Sequence, residues 1–196
     1  MGGSLAGGPE CKAWLDLLAE WGGPLILVPG GGPFADCVRS VQALMGLDDA
    51  TAHRLALIAM GQFGIALAAH SDAFAAAATK DEIDATLMRG VIPVWLPETM
   101  AYGAQDLPAC WDVTSDSLAA WLARAFHALR LLLIKTADIP AQSSACELVA
   151  AKIVDPAFPC FAAKAGAAVW VAGPASLAGA GCQLENGGLP GTFVPF

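Results

Sequence analysis

The sequence predicts an α/β protein, a three-layer α/β/α sandwich with a mainly parallel central sheet. Short apolar runs alternate with longer helical patterns along the chain, which is typical of βα units around a parallel sheet. The 196 residues are 56% hydrophobic and 14% charged, so the chain can bury a sizeable core and is not disordered. Much of the apolar content is alanine, which suits helices packed closely on a sheet. We expect a single domain over residues 1–196.

The helices are predicted from apolar residues at helical spacing and from capping residues at the N-termini. Pro9 stands in the first turn of the first helix, where its missing N–H is tolerated. Asp48 or Asp49 caps the third helix, and Asp112 or Thr114 caps the fifth. The predicted helices cover residues 9–21, 34–45, 49–69, 81–88, 115–130, 145–152 and 156–165.

The strands are predicted from short, continuous apolar runs between these helices, because a buried parallel strand is apolar on both faces. The run PLILV is the first of them and ends at the loop PGGG. The predicted strands cover residues 24–28, 91–96, 131–136 and 168–173, with a final edge strand at 191–196.

The charge balance argues against a nucleic-acid partner. The chain has 10 Lys and Arg against 18 Asp and Glu, a net charge of −8, whereas nucleic-acid binding needs a basic face. No membrane span is predicted, because the apolar stretch 55–69 is too short and the stretch 165–184 is interrupted by glycines and Pro174. The N-terminus lacks the basic and apolar regions of a secretory signal. We therefore expect a cytoplasmic protein with no membrane partner.

The six cysteines do not predict a metal site. They form no CxxC pair and have no histidine at ligand spacing, so we expect no metal held by protein side chains. In a cytosolic chain of this size, we expect them to be reduced and mostly buried.

Loops of unusual composition lead into three of the predicted helices. They are MGGSL at the start of the sequence, VPGGGPFAD after the first strand and WDVTSDS before the fifth helix. In open α/β sheets, ligands bind beyond the carboxyl ends of the strands, where such loops lie. Glycines let the backbone approach a phosphate closely, and the N–H groups at a helix N-terminus hold negative charge. Each glycine loop is therefore either a phosphoryl-binding loop or a plain tight turn.

Taken together and in order, these loops resemble the amino acid kinase family, which includes aspartate, acetylglutamate and uridylate kinases. The matching segments are GGSL at 2–5, PGGGPFADCVR at 29–39 and DVTSDSLAAWLA at 112–123, with LLLIKT and VDPAFP as further matches. The segments AHRLAL, TSDSL, VDPAFP and VWVAGP are most similar to the methanofuran branch, whose kinase phosphorylates an aminomethylfuran-methyl phosphate with ATP. The resemblance covers nearly the whole chain and implies the amino acid kinase fold.

The resemblance also implies where ATP binds. Gly2, Gly3 and Ser4 would contact the ATP phosphates through their backbone N–H groups. Thr136 and Asp138, in the segment TADIP, match the motif of the adenine site. Mg²⁺ would accompany ATP and be held mainly by its phosphates.

The resemblance implies further roles in binding the acceptor and in catalysis. The residues implied for the acceptor and the transferred phosphoryl group are Gly30, Gly31, Gly32, Arg39, Thr114, Ser115 and, unless it is only a packing residue, His53. Asp116 matches the aspartate that organises the catalytic groups, although a carboxylate there also suits the first turn of a helix. Phosphoryl transfer asks mainly for alignment and charge neutralisation, and Lys135, at the end of its strand, can supply positive charge.

Two features depart from the family pattern. The family carries a lysine two residues before GGS, whereas this sequence begins at Met1, so that lysine and its strand are not in it. The adenine-site motif, TD-x-DG in the family, reads TADIP. We therefore expect a fold shortened at the N-terminus, and a misassigned start and a degenerate homologue both stay open as explanations.

These observations lead to alternative functional hypotheses. The first is an ATP-dependent kinase of a small phosphorylated acceptor in one-carbon cofactor biosynthesis, assembled as a homodimer. The second is a catalytically degenerate homologue that serves as a binding or regulatory subunit, in a heterodimer with an active paralogue. A storage protein for a ligand or oxyanion, built on the same fold, is the third.

Overall fold

The structure is a computed structural model that describes residues 1–196 with the exception of Gly3. The chain divides into two compact units, Met1–Trp111 and Asp112–Phe196. In the described part of the first unit there are five α-helices and two strands. They are α1 (Pro9–Trp21), α2 (Gly32–Met45), α3 (Asp49–Ala68), β1 (Phe74–Ala77), α4 (Lys80–Met88), β2 (Ile92–Trp95) and α5 (Glu98–Ala101).

Local signals in the sequence begin and end the helices of the first unit. The Asp48 side chain accepts a backbone N–H from the first turn of α3. Thr79 and Glu82 form a reciprocal capping box at the start of α4. Gly22 and Gly46 end α1 and α2 in the left-handed conformation, with φ of 61° and 63°. The predicted helices of this unit are confirmed to within two residues at each end.

The sheet of the first unit is parallel. β1 and β2 pair along their whole length. The segment 24–28, predicted as a full strand, contributes one parallel bridge between Leu27 and Val94. Leu27 donates its N–H to the Pro93 carbonyl at 2.8 Å and accepts the Trp95 N–H at 2.9 Å. The ladder is short because its next N–H donors would be those of Pro29 on one side and Pro93 on the other, and proline has no N–H to donate.

The second unit contains four α-helices and three strands. They are α6 (Ser115–Ala125), β3 (Arg130–Ile134), α7 (Ala145–Ala150), α8 (Phe158–Ala165), β4 (Ala168–Ala172), α9 (Leu177–Glu185) and β5 (Thr192–Val194). A 3-10 turn, Pro174–Ser176, leads into α9. The ring of Phe196 packs edge-on against that of the buried Phe158, with the ring centroids 6.0 Å apart.

The sheet of the second unit has β4 in the middle. β4 pairs in parallel with β3 and antiparallel with β5, and its residues Val169 and Val171 are fully buried. The turn into β5 requires a glycine, because Gly191 has φ of 99° and a Cβ there would lie 2.4 Å from the Val171 carbonyl oxygen. Parallel pairs thus predominate among the described strands, and the predicted α/β class with mainly parallel pairing is confirmed.

Several elements differ from the sequence prediction. The helix predicted over 115–130 ends at Ala125, because His127 adopts a left-handed φ of 50° before the chain enters β3. β1, α5 and α9 were not predicted. β1 is alanine-rich and so has low strand propensity, and two glycines lower the helix propensity of α9.

The expectation of mostly buried cysteines is wrong. Cys11 is buried and Cys110 is half-buried, whereas the exposed ones are Cys37, Cys146, Cys160 and Cys182. The exposed cysteines lie in helices, on faces turned to solvent, where a small side chain is tolerated without burial. All six are free thiols, as expected.

The length and apolar character of the helices bear on whether any of them could span a membrane. Within the described residues, no helix combines the length and the apolar character needed to cross a bilayer.

Candidate functional site

An ion pair between Asp116 and Lys135 lies at the centre of the candidate site in the second unit. The Nζ atom of Lys135 lies 2.7 Å from each of the two carboxylate oxygens of Asp116. Only 13% of the Lys135 side chain and 9% of the Asp116 side chain are exposed. The structure therefore brings together the two residues that the sequence singled out for catalytic roles.

The pair sits at the carboxyl end of the sheet of the second unit. Lys135 directly follows β3, and its N–H donates to the Ala172 carbonyl at 2.8 Å, which extends the β3–β4 ladder. Asp116 is the second residue of α6, the helix that leads into β3 and packs on it. Thr114 is the N-cap residue of α6 and Ser115 its first residue, and both are half-buried. The expected substrate loop thus lies directly beside the ion pair.

Asp155 supports this arrangement from the segment that precedes α8. Its Oδ2 atom accepts bonds from the Thr114 N–H (3.0 Å), the Thr114 hydroxyl (2.9 Å) and the Ser117 N–H (3.0 Å). Its Oδ1 atom accepts a short bond from the Ser117 hydroxyl, and its own backbone N–H donates to Asp116 Oδ2 at 3.2 Å. Thr114 makes no side-chain cap of its own, so the Asp155 carboxylate caps α6 in its place.

The surroundings of Asp116 change its affinity for protons. Burial raises the pKa of the Asp116 carboxyl above its usual range. The positive charge of Lys135 opposes this rise, and the negative charge of Asp155 adds to it. A buried carboxyl with a raised pKa and a specific charged partner is typical of functional sites.

The glycine segment 30–32 forms the start of α2 in the first unit. Gly31 is the N-cap residue, and Gly32 has a left-handed φ of 56°. A Cβ on Gly31 would lie 2.3 Å from the Cβ of Ala35, so this position has room only for glycine. The first N–H groups of a helix have no intrahelical partners, and a helix start of this kind favours an anion.

Met1 pairs with the residues just before this helix. Its amino group donates to the Val28 carbonyl at 2.6 Å, and its carbonyl accepts the Gly30 N–H at 2.7 Å. These two bonds have the pattern of a parallel bridge. The Gly30 N–H is therefore engaged by the backbone, and any donors to a phosphoryl group in this loop would come from the residues that follow.

The other residues expected to bind the ATP phosphates and adenine lie in both units: Gly2 and Ser4 in the first, and Thr136 in the second. The Gly2 carbonyl accepts the Leu5 N–H at 3.1 Å in a tight turn, and Ser4 is exposed. Gly3 lies outside the described residues. Thr136 is exposed and follows Lys135 directly.

Arg39 and His53 lie on helices of the first unit. The Arg39 guanidinium stacks over the Trp111 ring, 4.6 Å from its centroid, and its Nη1 donates to Asp36 at 2.7 Å. Trp111 is itself fixed, because its Nε1–H donates to Gln42 at 2.7 Å. His53 is half-buried, and burial lowers its pKa, so its ring is held in the neutral form near pH 7.

A cleft of about 350 Å³ opens at the carboxyl end of β3 and β4. Asp138 lines it from the segment after β3, Ser176 from the turn after β4 and Gln183 from α9. Gly173, directly after β4, also lines it, and a Cβ there would lie 2.6 Å from the Ala137 carbonyl oxygen. The glycine lets the segment after β3 pass close over the end of β4. Of the residues expected at the adenine site, Asp138 therefore lines this open cleft.

The ion pair of the second unit fits a phosphate-bearing ligand. Lys135 supplies a cation with three donors, and the two contacts described above use two of them. Within the described residues, no three Asp, Glu, His or Cys side chains cluster in a way that would hold a metal ion.

Asp155 and Ser117 are the parts of this site that sequence reasoning missed. The segment VDPAFP was noted as a family match, yet Asp155 was not singled out within it. Asp155 lies 41 residues from Thr114 in the chain, so no local spacing links the two. The available signal was an aspartate followed by proline just before a helix, in a segment already known to match.

Comparisons with known proteins agree with this picture. The model of the Amino acid kinase family matches residues 1–139. The chain is 24% identical over 140 residues to the 5-(aminomethyl)furan-3-yl methyl phosphate kinase of Methanocaldococcus jannaschii, across 70% of this chain and 64% of that protein. The match therefore spans somewhat less than two thirds of that relative.

A solved structure extends the comparison to the whole fold. The crystal structure of uridylate kinase from Archaeoglobus fulgidus superposes with a TM-score of 0.69 and 14% identity, over 99% of this chain and 96% of that one. This likeness shows the fold. The family match covers well over half of the 196 residues. This chain therefore belongs to the amino acid kinase family.

Proposed function

We propose that this chain is an ATP-dependent kinase that phosphorylates a small acceptor that already carries a phosphate. The acceptor class is the aminomethylfuran-methyl phosphate of methanofuran and methylofuran biosynthesis. The observation that carries the proposal is the buried ion pair of Asp116 and Lys135 at the N-terminus of α6. Family membership and the 24% identity to a furan kinase support the choice of reaction and acceptor.

The proposed chemistry uses Lys135 and Asp116 as a unit. Phosphoryl transfer needs alignment and charge neutralisation more than a covalent nucleophile. Asp116 holds the Lys135 ammonium by two of its donors, which leaves the third for a phosphate oxygen. ATP, bound with Mg²⁺, would supply the transferred phosphoryl group. Lys135 would then stabilise the negative charge on that group as it moves.

The nucleoside of ATP would bind in the cleft of the second unit. Asp138 and Gln183 offer polar groups there, and Gly173 lets the segment that carries Asp138 pass close over the end of β4. In the chain, Thr136 stands between Lys135 and Asp138, and Asp138 lines this cleft. Gly2 and Ser4 would add backbone donors for the phosphates, as the family resemblance implies.

The acceptor would bind through the glycine segment of the first unit. Gly31 and Gly32 begin α2, whose N-terminal N–H groups suit a phosphate. Arg39 would provide a positive charge for the acceptor's own phosphate, and the neutral His53 would border the furan ring. Thr114 and Ser115 would contact the acceptor from the start of α6.

The proposal includes a homodimer in the cytoplasm and a single kinase domain over 1–196. Leu44 and Met45, at the end of α2, are exposed apolar side chains that a partner copy can cover. Sedimentation equilibrium of the purified chain tests the dimer. A monomer at micromolar concentration would contradict it.

The test of the function is direct turnover. The purified chain is incubated with Mg-ATP and synthetic 5-(aminomethyl)furan-3-yl methyl phosphate, and formation of ADP and of the diphosphate product is measured. We expect acceptor-dependent ADP formation that Asp116→Asn abolishes while the variant keeps its fold.

A thermal-shift titration distinguishes the degenerate alternative. A ligand that binds only the folded state raises the melting temperature, so an active kinase should be stabilised by Mg-ATP. A chain that shows neither turnover nor stabilisation by Mg-ATP would contradict the kinase proposal. Stabilisation without turnover would instead support a binding subunit.

A further inference from the structure

We propose that Asp155 is a positioning residue for the proposed kinase reaction, because its carboxylate and its backbone N–H together fix how Asp116 presents its oxygens to Lys135. The inference rests on the proposed function, because Asp155 can position a catalytic group only if the chain is a kinase. The contacts by which Asp155 places Asp116 are hydrogen bonds within the second unit.

The Asp155 carboxylate holds the first turn of α6 on both sides of Asp116. Thr114 binds it through N–H and hydroxyl, and Ser117 does the same. Asp116 lies between these two residues in the chain, so its Cα cannot shift without breaking bonds to Asp155. Asp155 is buried, with 7% of its surface exposed, so water does not readily replace these bonds.

The backbone N–H of Asp155 fixes the rotation of the Asp116 carboxylate. This N–H donates to Asp116 Oδ2 at 3.2 Å, and the same oxygen lies 2.7 Å from Lys135 Nζ. The second oxygen, Oδ1, also lies 2.7 Å from that Nζ. With one oxygen held from two directions, both oxygens stay turned towards the lysine.

The bonding pattern makes Asp155 unsuited to direct contact with a substrate. Its Oδ2 atom already accepts three bonds from the first turn of α6, and its Oδ1 atom accepts a fourth. The carboxylate therefore acts on the reaction through Asp116. The negative charge of Asp155 also acts on Asp116, because it contributes to the raised pKa of the Asp116 carboxyl.

Two substitutions separate the bonds of Asp155 from its charge. In Asp155→Asn, the amide oxygen can take the three bonds of Oδ2, and the Ser117 hydroxyl can turn to accept from the amide nitrogen. This variant removes the charge and keeps the shape. Asp155→Ala removes both the charge and the hydrogen bonds of the carboxylate. Asp48→Ala is the matched control, because Asp48 caps α3 through one backbone N–H in the first unit.

Steady-state kinetics with Mg-ATP and the furan phosphate give the first readout. We expect Asp155→Ala to lower kcat by about 100-fold, since a misplacement on the order of 1 Å has effects of that size, and to change the acceptor KM by less than about threefold. Asp155→Asn should restore kcat to within about tenfold of wild type, and Asp48→Ala should stay within about twofold. An unchanged kcat in Asp155→Ala would overturn the proposal.

Carboxyl ¹³C NMR titration gives a readout that needs no turnover. Asp155→Asn should lower the pKa of Asp116, because a nearby negative charge is removed while Lys135 keeps its place. An Asp116 titration identical to wild type would overturn the proposal, including where Asp155→Ala does not fold. If the wild-type chain turns over no ATP, the kinase proposal fails, whereas this titration still decides whether Asp155 acts on Asp116.

Discussion

Lys135 binds both carboxylate oxygens of Asp116 at 2.7 Å, although the two residues are 19 positions apart in the chain. One partner comes from the first turn of a helix and the other from the end of the strand that follows it. A largely buried ion pair is expensive to break, because removing one partner leaves the other as an uncompensated charge. The pair therefore couples the fold of the second unit to the proposed chemistry.

Lys135→Met should destabilise the protein strongly at neutral and alkaline pH. We expect the free energy of unfolding to fall by about 3 kcal/mol at pH 8, because Asp116 is left buried and unpaired. The loss should be smaller at pH 5 than at pH 8, because burial raises the pKa of Asp116 and the carboxyl takes up a proton more readily at the lower pH. Urea unfolding at both pH values measures this. Lys12→Met is the control, since Lys12 forms an exposed ion pair with Asp16 at the same 2.7 Å and should matter little.

Asp116→Asn should become more stable relative to wild type as the pH rises. The pKa of Asp116 is raised in the folded state, so its contribution to stability is fully present below the unfolded pKa of about 3.9 and is lost as the pH rises through the folded pKa. Asparagine does not ionise, so the variant escapes this loss. Urea unfolding between pH 4 and pH 8 gives the stability difference at each pH. A difference that does not change with pH contradicts the raised pKa.

Gly31→Ala should destabilise the start of α2. Its Cβ would meet that of Ala35 at 2.3 Å, so the backbone has to shift, at a cost of about 1–3 kcal/mol. Gly61→Ala is the matched control, because Gly61 lies inside α3 and a Cβ there meets nothing within 4 Å. We expect that control to gain up to about 1 kcal/mol from helix propensity. Thermal unfolding of both variants checks the sign, and equal effects would contradict the steric argument.

Gly179→Leu should weaken binding of Mg-ATP. Gly179 lies in α9 and lines the cleft of the second unit, so a leucine there would occupy space assigned to the nucleoside. Gly181→Leu is the control, because Gly181 lies in the same helix, has equal room for a side chain and does not line the cleft. We expect the Kd to rise by about tenfold or more in the first variant alone, as for a ligand whose pocket is partly filled. Equal calorimetric affinities for the two variants would place the nucleoside elsewhere.

Arg39→Ala should raise the KM for the phosphorylated acceptor and leave the KM for ATP unchanged. The expected rise is about tenfold, the size of one charge-assisted contact. Arg54→Ala is closely matched, because Arg54 also stacks over an aromatic ring at 4.6 Å, that of Tyr102, and pairs with the carboxylate of Glu98. Initial-rate kinetics with both substrates varied measures the effect. If both variants behave alike, Arg39 has no special role in acceptor binding.

The sequence was informative about candidate functional residues and helix caps that depend on one short segment. Asp116 stood in a recognisable loop, and Asp48 stood at a helix start, so both could be interpreted locally. The pairing of Asp116 with Lys135 depends on the return of the chain along β3, which no local pattern encodes. Sequence reasoning offered Lys135 only as a source of charge, and it is the structure that gives the lysine a specific partner.

The elements that were missed have sequences that contradict their structure. β1 is a run of phenylalanine and three alanines, which suits a helix, and its pairing with β2 overrides that preference. α9 contains Gly179 and Gly181, which weaken a helix. Asp155 was missed for a different reason, because its partners come from a helix about 40 residues earlier.

The edge-on contact between Phe196 and Phe158 has a practical consequence. Phe158 is the first residue of α8 and is fully buried, and it stands three positions after Asp155. A deletion that removes Phe196 would leave Phe158 without part of its packing and would loosen the segment that carries Asp155. The protein used in the kinetic and NMR experiments should therefore keep Phe196 and separate any affinity tag from it by a flexible spacer.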